Sequence, residues 1–458
     1  MTSVLLIYPY FLPRHDKSIF RFPPLGLGYL AASLRNAGYH VDILDCTFMD
    51  RKSAVEKALR INADVVGIYS MVTMREDSLA LAGILRNKGK LIIAGGPLPS
   101  CDPAPFTDYF DVVVRGEGEE TILEVLDGFR QNRDLGLIPG IAYRSGSNGQ
   151  AGEHESRVIL TPQRQMQANL DTIAFPARDL FPNEKYIDYW RKRSGNAGTT
   201  LITTRGCPFN CEFCSNAVFG VSYRERSPEN VVDEVEQALS LGYDYIHFAD
   251  DVFTLSRDRL SRICAEIKTR GLQFKWECLG RVDSIDADIA KEMREAGCER
   301  IFFGIESADN SILRLMNKKI TVERARKAIE AAGSAGIRTG AFFILCYPGE
   351  TNNTVLRTIR FATALPLDYL SFTLPYPLPG TALFERVEGS IAREWRSRGG
   401  FLTEHTLTFD GDFSEAKTKF AIVKAKSQFL LRKRLGRYSP ILSKPMELLT
   451  DAIFRLMR

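Results

Sequence analysis

The chain has 458 residues, of which 45% are hydrophobic and 25% are charged, and it carries a formal net charge of +4. This mixture is typical of a globular protein with large cores, and it excludes a disordered or fibrous chain. No apolar run approaches the roughly 20 residues that span a bilayer, so the sequence predicts no transmembrane helix. No basic stretch precedes the short N-terminal apolar run, so we do not expect a secretion signal there.

Charge and cysteine are unevenly distributed along the chain. Residues 415–458 contain 11 Lys and Arg against 3 acidic residues, a charge of +8, so the rest of the chain carries −4. Such an excess does not by itself indicate nucleic-acid binding, and no nucleic-acid partner is predicted. The 9 Cys are odd in number and mostly scattered. They favour a reducing cytoplasm, where a local cysteine cluster binds metal more often than it forms disulfides.

Residues 1–135 alternate short β-branched runs with helical periods. This alternation predicts an α/β domain built on a doubly wound parallel sheet. The predicted strands are Val4–Tyr8, Val41–Asp45, Asp64–Tyr69, Leu91–Ala94 and Asp111–Val114. The predicted helices are Leu25–Ala37, Ser53–Arg60, Met74–Asn87 and Glu119–Arg130. Ligands of such sheets bind at the carboxyl ends of the strands, where Gly95-Gly96-Pro97 and Arg115–Glu119 are expected to lie.

Residues 136–198 are richer in Gly, Ser, Gln and Asn, and we predict a connector there with a hairpin around Ser145–Gln150. A second βα series follows in residues 199–395. Its predicted strands are Thr199–Thr204, Tyr245–Ala249, Phe274–Leu279, Arg300–Ile305, Thr339–Leu345 and Tyr369–Leu374. A helical stretch follows each of the first five strands. Six strands with this rhythm predict an open, partial (βα)6 barrel instead of a closed eight-stranded one.

Residues 396–458 are predicted to form a helical region in which Lys and Arg alternate with Phe, Leu and Ile. One interpretation is an amphipathic helix that packs on the barrel and keeps a solvated basic face. The other is contact with a membrane surface, which would place a cytoplasmic protein at a membrane.

Three cysteines, Cys207, Cys211 and Cys214, lie within eight residues just after the first predicted barrel strand. A zinc site would need a fourth ligand from elsewhere, and a zinc ribbon needs a second CxxC pair, which the sequence does not have. A [4Fe–4S] cluster held by three thiolates would keep one iron open for a substrate or cofactor. A chance cluster of core cysteines is the remaining alternative.

The CxxxCxxC spacing, with Phe213 before the last cysteine, resembles the radical S-adenosylmethionine (SAM) superfamily. The motif also follows the first strand of a (βα)6 series, as it does in that family. The resemblance implies that the open iron chelates the amino and carboxylate groups of AdoMet. An electron from the cluster, supplied by an external reductant such as flavodoxin or ferredoxin, then cleaves a C–S bond to give a 5′-deoxyadenosyl radical.

Three further positions resemble AdoMet contacts of that family, besides Phe213. Asp250 follows the second barrel strand, where many relatives carry a motif that contacts the AdoMet amino group. Glu306 resembles the glutamate that hydrogen-bonds the ribose, and Arg281 resembles a position near the AdoMet carboxylate. The alternatives are that Asp251 caps the next helix and that Glu306 pairs with Arg281.

A doubly wound domain before such a barrel resembles the B12-binding branch of the superfamily. Phe22–Leu30, Gly95-Gly96-Pro97 and Arg115–Glu119 match the usual pattern of that branch, and the resemblance covers residues 1–400. It implies a corrin on the carboxyl edge of the sheet, with its nucleotide tail buried in the sheet domain. The residues predicted to bind cobalamin are Ser70, Thr73, Gly95, Gly96, Pro97, Gly116 and Glu117.

No histidine stands where many cobalamin proteins supply an axial ligand. His15 is not part of a DxHxxG motif, and Leu98 occupies the other position at which relatives often have histidine. The sequence therefore predicts cobalamin bound without a protein imidazole. The alternative is a sheet domain that has lost its cofactor.

These features predict a cobalamin-dependent radical SAM methyltransferase acting on an unreactive carbon of a small molecule, such as a natural product, a lipid or a tetrapyrrole. Methylcobalamin delivers a methyl group to a carbon radical, which polar methylation by AdoMet cannot do. One alternative is an oxidative cyclase or rearrangement enzyme, as in anaerobic magnesium-protoporphyrin ester cyclases, and another is a cofactor carrier or sensor. A tRNA methylthiotransferase is excluded, because that family needs three N-terminal cysteines and residues 1–130 hold only Cys46 and Cys101.

Overall fold

The computed structural model describes residues 2–11, 21–86, 89–145, 157–391, 408–434 and 440–457. Contacts divide the chain into two compact units, Met1–Cys207 with Asn216–Ile246, and Pro208–Ser215 with His247–Arg458. The four segments predicted from the sequence have other boundaries and remain a prediction. None of the helices in the described ranges is long and apolar enough to cross a membrane.

The first unit is built on a seven-stranded sheet in the order β2-β1-β3-β4-β5-β6-β7. Its strands are β1 (Ser3–Tyr8), β2 (His40–Asp45), β3 (Val65–Tyr69), β4 (Leu91–Gly95), β5 (Val112–Val114), β6 (Ile141–Arg144) and β7 (Val158–Leu160). Strands β1 to β5 pair in parallel. The five strands predicted for this region are therefore confirmed, with shifts of one residue at their ends.

Helices cover both faces of this sheet because successive strand residues point to opposite sides. The helices are α1 (Leu25–Asn36), α2 (Arg51–Arg60), α3 (Arg75–Arg86), α4 (Pro97–Cys101) and α5 (Glu119–Arg130). In β1, Val4 and Leu6 pack in one core with α1 and α5. Leu5 and Ile7 pack in the other core with α2 and α3. This arrangement confirms the doubly wound fold.

The segment predicted as a connector contributes two strands to the sheet. Strand β6 pairs antiparallel with β5, and β7 pairs antiparallel with β6. The interpretation of the segment as a plain connector was therefore incomplete. Of the predicted hairpin at Ser145–Gln150, residues 146–150 lie outside the described residues.

A six-stranded sheet carries the second βα series, in the order β8-β11-β12-β13-β14-β15. The strands of this sheet are β8 (Gly198–Leu201), β11 (Tyr245–Phe248), β12 (Lys275–Gly280), β13 (Cys298–Glu306), β14 (Arg338–Ile344) and β15 (Tyr369–Thr373). Between β8 and β11, the strands β9 (Thr204–Arg205) and β10 (Arg224–Glu225) form a separate antiparallel pair. The six predicted strands are confirmed, except that the first, Thr199–Thr204, ends at Leu201. Thr204 pairs instead with β10.

The helices after α5 are α6 (Asn183–Ser194), α7 (Pro228–Ser240), α8 (Arg257–Thr269), α9 (Ala287–Glu295), α10 (Asn310–Leu315), α11 (Val322–Ser334), α12 (Asn352–Ala364) and α13 (Ala382–Val387). Side-chain caps fix the start of several of them. Ser227 accepts the N–H of Asn230 at the start of α7, and Thr351 accepts that of Thr354 in a capping box at the start of α12.

The helical C-terminal region is confirmed, and it consists of α14 (Glu415–Arg434) and α15 (Pro440–Leu456). Helix α14 contacts α12, α15 and β15. Arg360 of α12 pairs with Asp451 of α15, and Lys424 Nζ lies 2.7 Å from Asp451 Oδ1. The inner faces of both helices therefore pack against the last part of the βα series.

Candidate active site

The three cysteines lie on the loop between β9 and β10. Gly206, just before Cys207, has a φ of +83°, and an added Cβ would lie 2.2 Å from the carbonyl oxygen of Ser222. Only glycine fits this turn, and the turn directs the chain into the cysteine loop. Cys207 is buried, Cys211 is half-buried and Cys214 is exposed. The Cys214 N–H donates to the Cys211 carbonyl at 3.1 Å, which folds the CxxC segment back on itself.

Glu212 holds the middle of the loop through its backbone and its side chain. Its N–H donates to the Met316 carbonyl and its carbonyl accepts the Leu383 N–H, both at 2.9 Å. The Tyr347 hydroxyl donates to Glu212 Oε2 at 2.7 Å, and Arg386 Nη1 lies 2.8 Å and 3.0 Å from the two carboxylate oxygens. These four contacts fix the position of Glu212, and therefore the backbone of its neighbours Cys211 and Phe213.

A buried ion pair faces Cys211. Lys318 Nζ lies 2.9 Å from Glu306 Oε1 and 5.7 Å from the centre of the Phe213 ring. Burial alone would lower the pKa of Lys318, but the charges of Glu306 and Cys211 outweigh it and raise that pKa. Burial raises the pKa of the Cys211 thiol, while the cations of Lys318 and Arg281 lower it. The effect of burial is the larger one, so the pKa of the Cys211 thiol is raised overall.

Glu306 occupies a strained position at the end of β13. Its φ is +70°, in a region that non-glycine residues rarely adopt, and the register with β14 shifts between Gly304 and Glu306. A Cβ on Gly304 would lie 2.5 Å from Glu306 Oε1 and 3.0 Å from Lys318 Nζ. The glycine therefore leaves room for the ion pair. Backbone strain of this kind concentrates at functional sites.

Arg281 lies at the end of β12, close to the cysteine loop. Its guanidinium carbon lies 3.5 Å from the ring centre of Phe209, within the loop. Its Nε and Nη2 each lie 2.9 Å from a carboxylate oxygen of Asp283. Glu306 therefore pairs with Lys318, and Arg281 pairs with Asp283. The alternative in which Glu306 and Arg281 pair with each other is wrong.

Asp250 is buried directly after β11. Burial and the charge of Asp250 raise the pKa of the neighbouring Asp251 carboxyl. The residue at the N-cap of α8 is Ser256, so Asp251 does not cap that helix.

A site for a single metal ion needs at least three His, Cys, Asp or Glu side chains close together. The described ranges contain no such group. In a [4Fe–4S] cluster each thiolate binds a different iron, so its sulfurs stand farther apart than the ligands of a single zinc ion. Cys207, Cys211 and Cys214 provide one thiol for each of three irons.

The first unit contains a mostly apolar cavity of about 270 Å³ at the carboxyl end of its sheet. Strand residues such as Leu6, Ile93 and Val114 form one wall, and residues of α1 and α5 form the other. A Cβ added to Gly95 would meet no atom within 4 Å, so this glycine borders open space. Gly96 has a φ of +109°, and its added Cβ would lie 2.6 Å from the Ser70 carbonyl oxygen. The cavity has the size and lining of a pocket for a flat, apolar group.

Five of the predicted cobalamin-binding residues line this one cavity: Gly95, Gly96, Pro97, Gly116 and Glu117. Ser70 and Thr73 are not among its lining residues. The Ser70 hydroxyl is buried and accepts a hydrogen bond from Ser78 Oγ at 2.9 Å, whereas Thr73 is exposed in the turn after β3. His15 lies outside the described residues.

Charged residues form the polar side of the cavity. Glu117 Oε1 lies 2.5 Å from Arg224 Nη2, and Glu117 Oε2 lies 3.3 Å from Arg205 Nη1. Arg205 also lies 2.5 Å from Glu119 and is almost completely buried. Arg205 immediately precedes Gly206, the turn at the start of the cysteine loop.

Comparisons with known proteins agree with both parts of this geometry. A model of the Radical SAM superfamily matches residues 201–362, and a model of the B12 binding domain matches residues 16–126. The chain is 36% identical over 394 residues to an uncharacterized methyltransferase of Pyrococcus horikoshii, and the match covers 82% of this chain and 81% of that protein.

The chain belongs to the B12-binding branch of the radical SAM superfamily.

The chain is also similar to two other proteins of known name. The anaerobic magnesium-protoporphyrin IX monomethyl ester cyclase of Rubrivivax gelatinosus is 29% identical over 407 residues, covering 85% of this chain and 70% of the cyclase. The radical S-adenosylmethionine methyltransferase TsrM from Kitasatospora setae, whose structure has cobalamin and a [4Fe–4S] cluster bound, shares the fold. Its TM-score is 0.70 at 20% identity, and the match covers 85% of this chain and 75% of that one.

Membership of this branch confirms the predicted enzyme class and its cofactor set of a [4Fe–4S] cluster, AdoMet and cobalamin. The residues present fit these groups. The cysteine loop provides three thiols, the cations of Lys318 and Arg281 act on the Cys211 thiol, and the cavity of the first unit is mostly apolar and bordered by glycines.

Sequence reasoning missed the residues that hold these sites in place. Lys318 follows a short helix without a motif, and Glu212 appears only as a spacer between cysteines. Arg205 was overlooked although it precedes Gly206 and Cys207. Its position immediately before Gly206 and Cys207 was the available signal.

Proposed function

We propose that this radical SAM enzyme transfers a methyl group to an unactivated carbon of a small molecule. The observation that carries the proposal is the mostly apolar cavity, bordered by Gly95 and Gly96, at the carboxyl end of the first sheet, in a chain that also carries the three-cysteine loop. The 36% identical relative, which covers four-fifths of both chains, is named a methyltransferase. A branch that combines a radical source with a corrinoid has a means to methylate carbons that are not nucleophiles.

The cluster and AdoMet would be held by residues of the second βα series and its loop. Cys207, Cys211 and Cys214 would each bind one iron, and Phe213 would pack beside AdoMet. Asp250 would contact the amino group of AdoMet, Arg281 its carboxylate and Glu306 its ribose hydroxyls. Lys318, whose Nζ lies 2.9 Å from Glu306 Oε1, would hold the Glu306 carboxyl in its orientation.

The corrinoid would lie at the carboxyl edge of the first sheet, with its nucleotide tail in the cavity. Gly95 and Gly96 would allow close approach of the backbone, and Pro97, Gly116 and Glu117 would line the entry. Ser70 and Thr73 stay proposed contacts to the nucleotide tail or to the corrin amides. That no protein imidazole binds the cobalt stays a prediction from the sequence.

When bound, the cluster and AdoMet supply a hydrogen-abstracting 5′-deoxyadenosyl radical, and the corrinoid supplies the methyl group. One turnover would convert a C–H bond of the substrate to C–CH3. It would consume two AdoMet and two electrons, and release 5′-deoxyadenosine, methionine and S-adenosylhomocysteine. The electrons would come from an external reductant such as flavodoxin or ferredoxin. The protein positions these groups and excludes water from them.

A second function, oxidative cyclisation without methyl transfer, is favoured by one observation. The Rubrivivax cyclase matches 85% of this chain at 29% identity. A cyclase would use the same cluster loop and the same cavity, so the two functions differ in their products.

The products therefore provide the test. The reconstituted enzyme is incubated without oxygen with AdoMet carrying an isotopically labelled methyl group, a strong reductant and a panel of candidate small molecules. Methyl transfer predicts labelled product with S-adenosylhomocysteine and 5′-deoxyadenosine in equal amounts. A substrate converted with 5′-deoxyadenosine alone would establish the cyclase instead.

A further inference from the structure

The C-terminal helix α15 presents an apolar stripe to solvent. Its outward residues Met446, Leu449, Ile453 and Leu456 follow a three-four-three spacing, which places them along one face of a helix. They are exposed by 54%, 59%, 39% and 83%, and the adjoining Leu448 by 61%. Large aliphatic side chains exposed in such a row mark a contact surface more often than a solvated one.

The stripe does not result from an unpacked helix, because the opposite face of α15 is firmly held. Phe454 is completely buried and its ring stacks on Phe413 at 6.2 Å between centres. Asp451 is buried between Lys424 and Arg360. The outward direction of the apolar residues is therefore fixed by the fold.

The exposed face of helix α14 contains both basic and apolar residues. Its buried face contains Ala421, Ile422 and Ala425. Val423 and Leu430, exposed by 61% and 53%, lie on the opposite face. The exposed basic residues that share this outward face are Lys419, Lys426, Lys433 and Arg434. Apolar side chains among Lys and Arg are the composition of a helix that lies in a membrane interface.

The positive charge of residues 415–458 favours an anionic lipid surface as the partner of this face. Residues 415–458 carry 11 Lys and Arg against 3 acidic residues, whereas the whole chain has a net charge of only +4. A second copy of this chain would bring a segment of the same charge to the contact, which is unfavourable. An anionic lipid surface attracts such a segment and accepts its apolar side chains. No described helix can cross the bilayer, so the contact would lie along the surface.

We propose that α14 and α15 form a docking surface that places this enzyme on an anionic membrane. The proposal rests on exposed side chains and charge, and it is independent of which reaction the enzyme performs. It gives a physical reason for a basic, apolar C-terminus on an otherwise mildly acidic chain.

Flotation of the full-length holoprotein with lipid vesicles tests the proposal. Vesicles of phosphatidylcholine with phosphatidylglycerol should carry the protein upward at low salt and release most of it at high salt. Vesicles of phosphatidylcholine alone should carry little. A Leu449→Gln/Leu456→Gln variant should bind the anionic vesicles at least about tenfold more weakly, because two inserted side chains are lost.

Matched controls separate docking from misfolding. Leu137 and Leu160 are exposed by 80% and 57% in the first unit, so a Leu137→Gln/Leu160→Gln variant should float like the wild type. Iron and corrin contents should be equal in all three proteins. The proposal is overturned if the wild type stays with the soluble fraction, if the α15 variant floats as well as the wild type, or if that variant converts a dimer to a monomer.

Discussion

The two cofactor regions of this enzyme are built in opposite ways. The cysteine loop is held by side chains, with Glu212 fixed by four contacts and Glu306 paired with the half-buried Lys318. The cavity of the first sheet depends on side chains that are absent, since Gly95 borders open space and Gly96 has a φ that favours glycine. Adding atoms should therefore damage the cavity, whereas removing charged groups should damage the loop.

The largest effect is expected from filling the cavity. A Gly95→Leu variant should lose corrin binding by at least about a hundredfold, because the side chain enters the space that the proposed nucleotide tail needs. No atom lies within 4 Å of the added Cβ, so folding should be unaffected. Corrin retained after gel filtration, read from its visible absorbance, measures the effect. Iron content should not change.

Gly83 provides the matched control for that variant. It also has no atom within 4 Å of an added Cβ, but it lies exposed in α3, outside the cavity. A Gly83→Leu variant should bind corrin like the wild type. Equal corrin binding by all three proteins would show that the cavity does not hold the cofactor.

The next largest effect is expected from breaking the ion pair behind the loop. In a Lys318→Met variant the buried Glu306 loses its partner at 2.9 Å, and with it the orientation proposed for its contact with the AdoMet ribose. AdoMet affinity, measured by equilibrium dialysis of the cluster-loaded protein, should fall about tenfold, which corresponds to about 1.4 kcal/mol. A Lys319→Met variant removes the neighbouring exposed lysine and should leave AdoMet affinity unchanged. If both variants bind AdoMet equally well, the role assigned to the Lys318–Glu306 pair is wrong.

A smaller effect is expected from loosening the loop itself. Arg386 contacts both carboxylate oxygens of Glu212 and is partly exposed, so its loss should cost about 1 kcal/mol. An Arg386→Met variant should therefore release iron to a chelator about fivefold faster than the wild type. Arg338→Met, which removes a partly exposed arginine paired with Glu299, serves as the control. Equal release rates in both variants would contradict the account of the loop.

The smallest effect on activity is expected at Glu350, which accepts the Tyr347 N–H at 3.0 Å. Burial raises the pKa of Glu350 from 4.5 to about 8. The unfolded chain loses this proton near pH 4.5 and the folded chain near pH 8, so this carboxyl lowers the free energy of unfolding as pH rises through that window. The slope is at most about 1.4 kcal/mol per pH unit.

A Glu350→Gln variant should lose this slope. Its thermal midpoint, compared with that of the wild type, should be relatively higher at pH 8 than at pH 5. Glu330→Gln changes an exposed glutamate of α11 and should follow the wild type at both values. A Glu350→Gln protein whose midpoint changes with pH as steeply as the wild type would show that this carboxyl is not buried in its neutral form.

The same contrast explains how much the sequence could predict. Strands and helices were predictable because apolar residues repeat with the period of each element, and Leu5 and Leu6 of β1 serve opposite cores. Strands β6 and β7 were missed because they have only four and three residues and pair antiparallel at the sheet edge. Short edge strands carry little periodicity.

The candidate site also contains residues that could be predicted from the sequence and residues that could not. Cysteine spacing is local, so Cys207, Cys211 and Cys214 could be found from the sequence alone. Lys318 and Arg386 lie about 100 or more residues away from the loop, and nothing local marks them as its neighbours. The cavity was foreseen only through the two loops Gly95–Pro97 and Gly116–Glu117, since its apolar wall has the composition of any sheet core.

One measurement tests the central claim that this chain holds two cofactors at separate sites. The protein is produced without oxygen in the presence of iron, sulfide and hydroxocobalamin, and bound iron and corrin are counted for the wild type and for a Cys207→Ala/Cys211→Ala/Cys214→Ala variant. The account predicts about four iron and about one corrin per wild-type chain, and a variant that loses the iron but keeps the corrin. A wild-type protein with iron but no corrin would contradict it.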